Sequence, residues 1–319
     1  MRTPAAVLLL TATVWGGPEM LESLDPQFDA IFPPGTPVET LATGFSWVEG
    51  PVWDAKERQL LFSDIPGNAI HAWRERDGEC RLYMKPSGYT GVEPWGREPG
   101  SNGLAFDLEG NLICCEHGDR RVSILKPGGG KLTLADRYQG KRLNSPNDLD
   151  IHSSGAIFFT DPPYGLAKGQ DDPAREQPFC GVFQITTEGE LALVTDKIER
   201  PNGIALSPDE KTLYVAQSSG REPVIFALDL KDGKPTEGRR IFFDAGSLKG
   251  PGAPDGLKVA EDGTLFATGP GGLMVIDSTG KLLGRVLCTR PTANVALTPT
   301  HVYLTSSDRL LRIARLKTP

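Results

Sequence analysis

The sequence predicts an all-β protein, a six-bladed β-propeller preceded by a short N-terminal extension. Three observations support this fold: an excess of glycine and proline, a two-strand phrase that recurs six times, and a regular spacing between the copies. Of the 319 residues, 37 are Gly and 27 are Pro, together about one in five against an average of about 12%. Because Gly and Pro are the poorest helix formers, a mostly helical protein is not expected.

Each copy of the phrase begins with a polar residue, often followed by Gly, continues as an apolar strand and returns after a turn as a second strand. Turn sequences such as DLEGN, SSG and EDG favour tight reversals. The six copies occupy residues 48–65, 101–117, 146–162, 201–217, 254–270 and 292–307. Further strand candidates lie between the copies and bring each repeat to about four strands, which is the pattern of a propeller blade.

The chain before the first copy of the phrase begins with a candidate targeting segment. Residues 1–17 resemble a signal peptide, with a positive charge at Arg2 and an apolar stretch too short to span a bilayer. The alternative is an untidy cytoplasmic N-terminus. A cleaved signal would place the protein in the periplasm or outside the cell, and otherwise we expect it in the cytoplasm.

The remaining chain divides into an arm and a ring. Residues 18–36 are expected to form an N-terminal arm, and residues 37–319 the propeller. Within the propeller, residues 37–43 are predicted to be an outer strand that closes the ring with the last blade. The polar, Pro-containing stretch 165–180 is predicted to be a loop inserted in blade three that reshapes the pocket.

Composition excludes several classes of partner. The formal net charge is −7 and no basic run occurs, so a nucleic-acid partner has no electrostatic support. No stretch is long and apolar enough to predict a membrane span. The five cysteines are odd in number and lack a CxxC pair, so we expect no disulfide framework and inert thiols. The sequence does not indicate an oligomeric state.

The repeat also predicts a site. The innermost strand of each blade lines the central channel, so equivalent positions at the start of the six copies meet at one mouth. These positions are Glu49, Asn102, Asn147, Asn202, Asp255 and, less clearly, Ala293 or Asn294. Five of them carry oxygen donors and none is His or Cys, which favours a hard cation such as Ca²⁺ or Mg²⁺. Asn-Gly and Asp-Gly are also strong turn formers, so a turn role is the alternative for any single copy, although it does not account for Glu49.

The second strand of each copy returns to the same mouth. Its last residues are therefore expected to form a second ring around the first. This ring comprises Asp64, His117, Asp161, Gln217, Thr268 and Ser306.

Four motifs carry a resemblance to a known family. EGPVW at 49–53, SPNDL at 145–149, PNGIALSPD at 201–209 and PDGL at 254–257 occur in the order and spacing of the SMP-30/gluconolactonase/luciferin-regenerating family. The chain resembles this family over roughly residues 38–310. The resemblance implies a six-bladed propeller with one divalent metal ion in its channel.

The resemblance also implies roles for residues. Glu49, Asn202 and Asp255 match metal ligands, and Asn147 matches a position that binds metal or substrate. Asp255 further matches the proton acceptor of the lactonases. Ser145 stands where the animal sugar lactonases have an Arg, so the bacterial gluconolactonase-like branch is the closer one.

The resulting hypothesis is a metal-dependent hydrolase that opens a sugar lactone by polarising its carbonyl and activating a water. Calcium is the expected cation, with Zn²⁺, Mn²⁺ or Mg²⁺ as alternatives. Asn102, His117 and Asp161 are expected to contact the substrate together with Asn147, although His117 and Asp161 also suit turn roles. Two other functions stay open: a phosphotriester hydrolase with Asp255 as nucleophile, and a non-catalytic binding propeller with a structural calcium.

Overall fold

The computed structural model describes residues 19–236 and 238–316, so the predicted signal peptide at 1–17 lies outside the described residues. Six antiparallel sheets follow one another along the described chain, and the first strands of neighbouring sheets contact one another around a ring. The protein is therefore the six-bladed all-β propeller that the sequence predicts. None of the described residues belongs to a helix long and apolar enough to cross a membrane.

The strands occur in the predicted sets of about four per blade. The segment before blade one contains β1 (Met20–Ser23), α1 (Pro26–Ile31) and β2 (Val38–Thr43). Blade one contains β3 (Val48–Asp54), β4 (Gln59–Asp64), β5 (Ala69–Arg74) and β6 (Cys80–Met84). Blade two contains β7 (Ser101–Phe106), β8 (Leu112–Glu116), β9 (Arg121–Leu125) and β10 (Lys131–Ala135), and a small hairpin of β11 (Arg137–Tyr138) and β12 (Lys141–Arg142) follows it.

The second half of the ring repeats this arrangement. Blade three contains β13 (Leu149–Ile151), β14 (Ile157–Asp161), β15 (Gly181–Ile185) and β16 (Leu191–Thr195), with a 3₁₀ turn (Gly169–Asp171) between β14 and β15. Blade four contains β17 (Pro201–Leu206), β18 (Thr212–Gln217), β19 (Val224–Lys231) and β21 (Arg240–Asp244). The short β20 (Lys234–Pro235) pairs antiparallel with the end of β19. Blade five contains β22 (Leu257–Val259), β23 (Leu265–Gly269), β24 (Gly272–Ile276) and β25 (Leu282–Leu287). Blade six contains β26 (Thr292–Leu297), β27 (His301–Ser306) and β28 (Arg309–Ala314).

The N-terminal segment fastens the ring. β2 pairs with β28 and supplies the fourth strand of blade six, as the sequence suggests. The segment expected to be an arm contains a strand of the propeller, because β1 pairs with β25 as a fifth strand of blade five. Helix α1 follows, capped by the Asp25 side chain, which accepts a hydrogen bond from the Gln27 N–H at 2.9 Å. Its fully buried Phe28 packs into the core of blades five and six.

Both faces of each sheet are buried against neighbouring blades. Cys114 and Cys115 show this directly, since adjacent strand residues point to opposite faces. Cys114 packs with Leu61 and Ile70 of blade one, whereas Cys115 packs with Phe159 of blade three. All five cysteines are free, and burial raises the pKa of the Cys114 thiol to about 12. Burial raises the pKa of the other four thiols as well, which disfavours their reactive thiolate forms.

The predicted insertion is the connection between β14 and β15 in blade three. We call residues 162–170 the strap, because this part of the connection lies over the mouth of the central channel and lines the cavity there. The rest of the connection is anchored at Ala174, whose carbonyl accepts a hydrogen bond from the buried Arg120 at 2.8 Å.

Candidate active site

A cavity of about 780 Å³ opens at one mouth of the channel. The side chains expected in the first ring meet there. They are Glu49, Asn102, Asn147, Asn202 and Asp255. Each comes from a different blade, so the convergence follows from the ring and not from local sequence.

Blade six departs from the pattern. Its equivalent residue Ala293 is buried without lining the cavity, to which this blade contributes Pro291 and Thr292. Asn294, the other candidate, donates its side-chain amide to Asp148 at 3.2 Å. Neither candidate of blade six therefore joins the first ring.

Three of the five first-ring residues lie within the inner strands, and not before them as expected. Glu49, Asn102 and Asn202 are the second residues of β3, β7 and β17. The strand register shifts directly after Glu49, and Asn102 and Asn202 themselves lie within such a shift. Bulges of this kind redirect side chains next to functional sites. Asn147 and Asp255 do precede their strands, and their backbone N–H groups bond to Thr160 and Thr268 carbonyls at 2.8 and 3.2 Å.

Hydroxyl groups of one blade form hydrogen bonds to first-ring residues of the next blade. The side chains of Ser63 and Thr160 donate to the backbone carbonyls of Asn102 and Asn202 in the next blade, at 2.8 and 2.7 Å. The blades approach so closely that glycine is required beside the ring. A Cβ at Gly203 would lie 2.2 Å from the Asp255 carbonyl oxygen. The position of each ligand candidate is thus fixed by its neighbouring blade.

The five first-ring side chains form the floor of the cavity. Two of their oxygen atoms, Asn102 Oδ1 and Asp255 Oδ1, are buried and accept no hydrogen bond from any residue that the structure describes. Buried acceptors of this kind are rare, and a bound ion or ordered water is the usual explanation. Nowhere in residues 19–236 and 238–316 do three His, Cys, Asp or Glu side chains converge on a metal site. The floor combines two carboxylates with neutral amides, a donor set suited to Ca²⁺ or Mg²⁺.

The charges of the floor also favour a cation. Burial, followed by the nearby negative charge of Asp148, raises the pKa of Glu49 to about 8. Burial and the charge of Glu49 raise the pKa of Asp255 well above its usual range. Two buried carboxylates so close together repel when both are ionised. A divalent cation between them would remove this repulsion.

His117 lies behind the floor and not on it. Its imidazole is fully buried, and its Nε2 lies 3.5 Å from the side-chain nitrogens of both Asn102 and Asn147. Its Nδ1 lies 3.5 Å from Glu98 Oε2. The imidazole therefore lies beside two first-ring amides that line the cavity, and its contact with substrate stays a prediction.

Asp161 is likewise not part of the cavity lining. Its carboxylate accepts hydrogen bonds from the backbone N–H groups of Asn144 and Ser145 at 2.7 and 2.9 Å. Asp64 in blade one does the same for Ser46 and Trp47, at 3.2 and 3.1 Å. These second-ring carboxylates hold the segments that lead into the inner strands, and the contact of Asp161 with substrate stays a prediction.

Some residues at the site were not expected from the sequence. Asp148 is buried directly after Asn147, and Glu98 lines the cavity. The sequence does set Asp148 apart, because four other copies of the phrase have Gly at the equivalent place. Arg97, Lys168 and Arg200 line the rim. No ion pair among the described residues involves these three side chains.

Comparison with known proteins gives concordant matches. Residues 47–308 match the family model described as the SMP-30/Gluconolactonase/LRE-like region. A gluconolactonase of Zymomonas mobilis is 37% identical over 305 residues, which cover 89% of this chain and 85% of that protein. Pentonolactonase XacC of Haloferax volcanii is 27% identical over 242 residues, covering 74% and 72%. The structure of XC5397, a gluconolactonase from Xanthomonas campestris, is 31% identical, with a TM-score of 0.80 and coverage of 94% and 98%.

Proposed function

The chain belongs to the SMP-30/gluconolactonase/LRE family, and from that premise we propose that it is a metal-dependent hydrolase of sugar lactones, with gluconolactone as the leading substrate. Its gluconolactonase relatives support lactone hydrolysis. The observation that carries the proposal is the meeting of five oxygen-bearing side chains from five blades at the floor of one cavity. Two of their oxygens are buried and have no hydrogen-bond partner within residues 19–236 and 238–316.

We propose that Glu49, Asn147, Asn202 and Asp255 hold one divalent cation, with Ca²⁺ preferred because every donor is an oxygen. When bound by these residues, such a cation would supply Lewis-acid polarisation of the lactone carbonyl. Asn102, whose Oδ1 also lacks a partner, is proposed to contact the substrate or a water beside it.

Asp255 is the proposed proton acceptor. One of its carboxylate oxygens is buried and has no hydrogen-bond partner among the described residues, so this oxygen is available to accept a proton from a water at the floor. Asp255 would take the proton of the attacking water and return it to the alkoxide when the ester bond breaks. The basic side chains Arg97, Lys168 and Arg200 on the rim would favour the carboxylate of the ring-opened acid electrostatically.

The direct test is acid release from glucono-δ-lactone, measured above the spontaneous rate. The purified chain is assayed as prepared, after treatment with excess EDTA, and after calcium is restored. We expect activity that EDTA removes and calcium restores.

A phosphotriester assayed in parallel separates the reaction classes. Turnover of the phosphotriester without turnover of the lactone would assign the same floor to a different reaction. Absence of both activities, with calcium still bound, would indicate a non-catalytic propeller. Lactone turnover that persists in EDTA would contradict the metal-dependent mechanism.

A further inference from the structure

The strap forms one wall of the cavity and is rigidly held. Ser145 Oγ donates to the Pro162 carbonyl at 2.5 Å and accepts from the Gly165 N–H at 2.9 Å. Gly165 packs directly on His117, since a Cβ there would lie 2.5 Å from the His117 Cβ. Leu166 is buried. Tyr164, at the centre of these contacts, is therefore presented to the cavity in a fixed position.

The Tyr164 hydroxyl has an unused hydrogen bond. The oxygen is buried and has no partner of standard hydrogen-bond geometry among the described residues, although the Ser218 hydroxyl lies close enough to lower the pKa of the phenol. The hydroxyl of Ser218, which lines the same cavity, already donates to the Pro254 carbonyl and accepts from Asn202. A buried phenol normally has a hydrogen-bond partner, so the unpaired Tyr164 hydroxyl indicates a partner group on a ligand.

The phenol can act only as a neutral donor or acceptor. Burial, followed by the negative charge of Asp255, raises the pKa of Tyr164 above its usual range. The hydroxyl consequently keeps its proton at physiological pH. It suits a neutral polar group of a ligand, such as an alcohol oxygen.

Tyr164 lies on a different wall of the cavity from the floor residues, so the strap and the floor would contact different parts of a bound lactone. The ester carbonyl belongs at the floor, beside Glu49, Asn202 and Asp255. The strap is a separate wall, and Lys168 and Gln170 of the same segment line it too. A lactone ring whose carbonyl meets the floor therefore turns its hydroxyl substituents toward the strap.

We propose that Tyr164 is a specificity-determining residue whose hydroxyl donates a hydrogen bond to a ring hydroxyl of the substrate, so that the strap selects polyhydroxylated lactones. This inference rests on the proposed lactonase function and adds the residue that recognises the sugar. Ser145, which stands where animal sugar lactonases have an Arg, holds the strap that carries this contact.

The test compares two lactones that share a six-membered ester ring. Glucono-δ-lactone carries hydroxyl substituents, whereas δ-valerolactone carries none. Tyr164→Phe removes only the phenol oxygen. We expect kcat/KM for glucono-δ-lactone to fall about tenfold, the effect of one neutral hydrogen bond, mainly through KM. We expect kcat/KM for δ-valerolactone to stay unchanged.

Tyr138→Phe is the matched control, because Tyr138 lies on the hairpin after blade two and outside the cavity. It should leave both substrates unaffected. An equal loss on both lactones in Tyr164→Phe would place the hydroxyl at the ester and overturn the assignment. Unchanged turnover of both lactones would overturn it as well.

Binding of the ring-opened product keeps the test independent of turnover. Calorimetry should show weaker binding of D-gluconate to Tyr164→Phe than to the wild type, and equal binding of 5-hydroxyvalerate. If the wild-type chain hydrolyses neither lactone, the proposed function fails, and the gluconate measurement still decides the role of Tyr164. Equal gluconate affinity in the two proteins would refute it.

Discussion

The floor and the strap of the cavity are built in opposite ways. The floor takes one residue from each of five blades, at equivalent places in a repeated phrase. The strap is a single irregular connection in blade three, and the sequence contains no second copy of it. The floor is held by neighbouring blades, whereas the strap is held by Ser145, His117 and its own turns.

The difference teaches how one propeller can separate chemistry from selectivity. A ring of equivalent positions brings charged and amide oxygens to a point that no single blade could build. An inserted segment can change without breaking the inner strands of that ring, because both of its ends belong to blade three, although it also packs on His117 of blade two. We therefore expect floor variants to lose cation binding and turnover together, and strap variants to change substrate recognition alone.

The largest effect is expected from the two floor carboxylates. Glu49→Gln and Asp255→Asn each remove a charge that a divalent cation requires, and Asp255→Asn also removes the proposed proton acceptor. We expect kcat/KM to fall at least about a hundredfold, the scale of losing general-base catalysis. Initial-rate assays and calcium calorimetry measure the two losses.

Glu57→Gln is the matched control, since Glu57 is exposed in the β3–β4 turn of the same blade. It should behave as the wild type. Full activity in Asp255→Asn would show that the floor assignment is wrong.

Packing between blades four and five gives the next largest effect. A Cβ at Gly203 would clash with the backbone of Asp255 at 2.2 Å, and the backbone cannot move without displacing the floor. We expect Gly203→Ala to destabilise the fold by about 1–3 kcal/mol and to weaken calcium binding. Gly220→Ala has open space around its new Cβ and should change neither quantity. Equal melting temperatures and calcium affinities for the two variants would contradict the close packing.

The metal-free floor predicts an unusual pH dependence of stability. The pKa of Glu49 rises from 4.5 to about 8 on folding. Between these values the folded carboxyl keeps a proton that the unfolded chain has lost. The free energy of unfolding in EDTA should therefore fall as the pH rises from about 4.5 to 8, by up to about 1.4 kcal/mol per pH unit for this proton.

Calcium should reverse that trend, since it binds the ionised carboxylates and becomes more effective as the pH rises. Glu49→Gln should make the metal-free slope shallower by one proton. Denaturant unfolding at several pH values measures both. A slope that is the same in Glu49→Gln and the wild type would show that Glu49 is not the group that titrates.

The repeat explains why the fold and the floor could be predicted. Six copies of the phrase specify six blades, and blade geometry then brings residues as distant as Glu49 and Asp255 together. The roles of the floor residues in binding cation and substrate stay predictions. The directions of the second-ring side chains could not be predicted, because a position at a strand end does not determine where a side chain points. Asp161 turns toward backbone N–H groups that only the folded loop supplies.

The irregular parts could not be predicted in the same way. The strap has no periodic pattern, so the sequence indicates an insertion but not that Tyr164 enters the cavity. The buried position of Phe28 depends on the space left by Gly284 of blade five, whose added Cβ would lie 2.5 Å from the Phe28 ring. Contacts of this kind join segments far apart in sequence, and local propensity contains no information about them.

The smallest effect is expected from the support of the strap. Ser145→Ala removes one hydroxyl and leaves the Gly165 N–H without its partner. We expect KM for glucono-δ-lactone to rise by about tenfold or less, with calcium affinity unchanged. Ser278→Ala, on the exposed β24–β25 turn, is the matched control. A loss of calcium affinity in Ser145→Ala would show that the strap and the floor are not independent.

The central claim is that one cation at the floor makes the chain a lactonase. The most direct measurement titrates calcium into the metal-free wild-type protein and records bound calcium and the initial rate of glucono-δ-lactone hydrolysis on the same samples. We predict that the rate rises in proportion to bound calcium and saturates at one ion per chain. Full hydrolysis before any calcium is added, or calcium binding without a gain in rate, would contradict the claim.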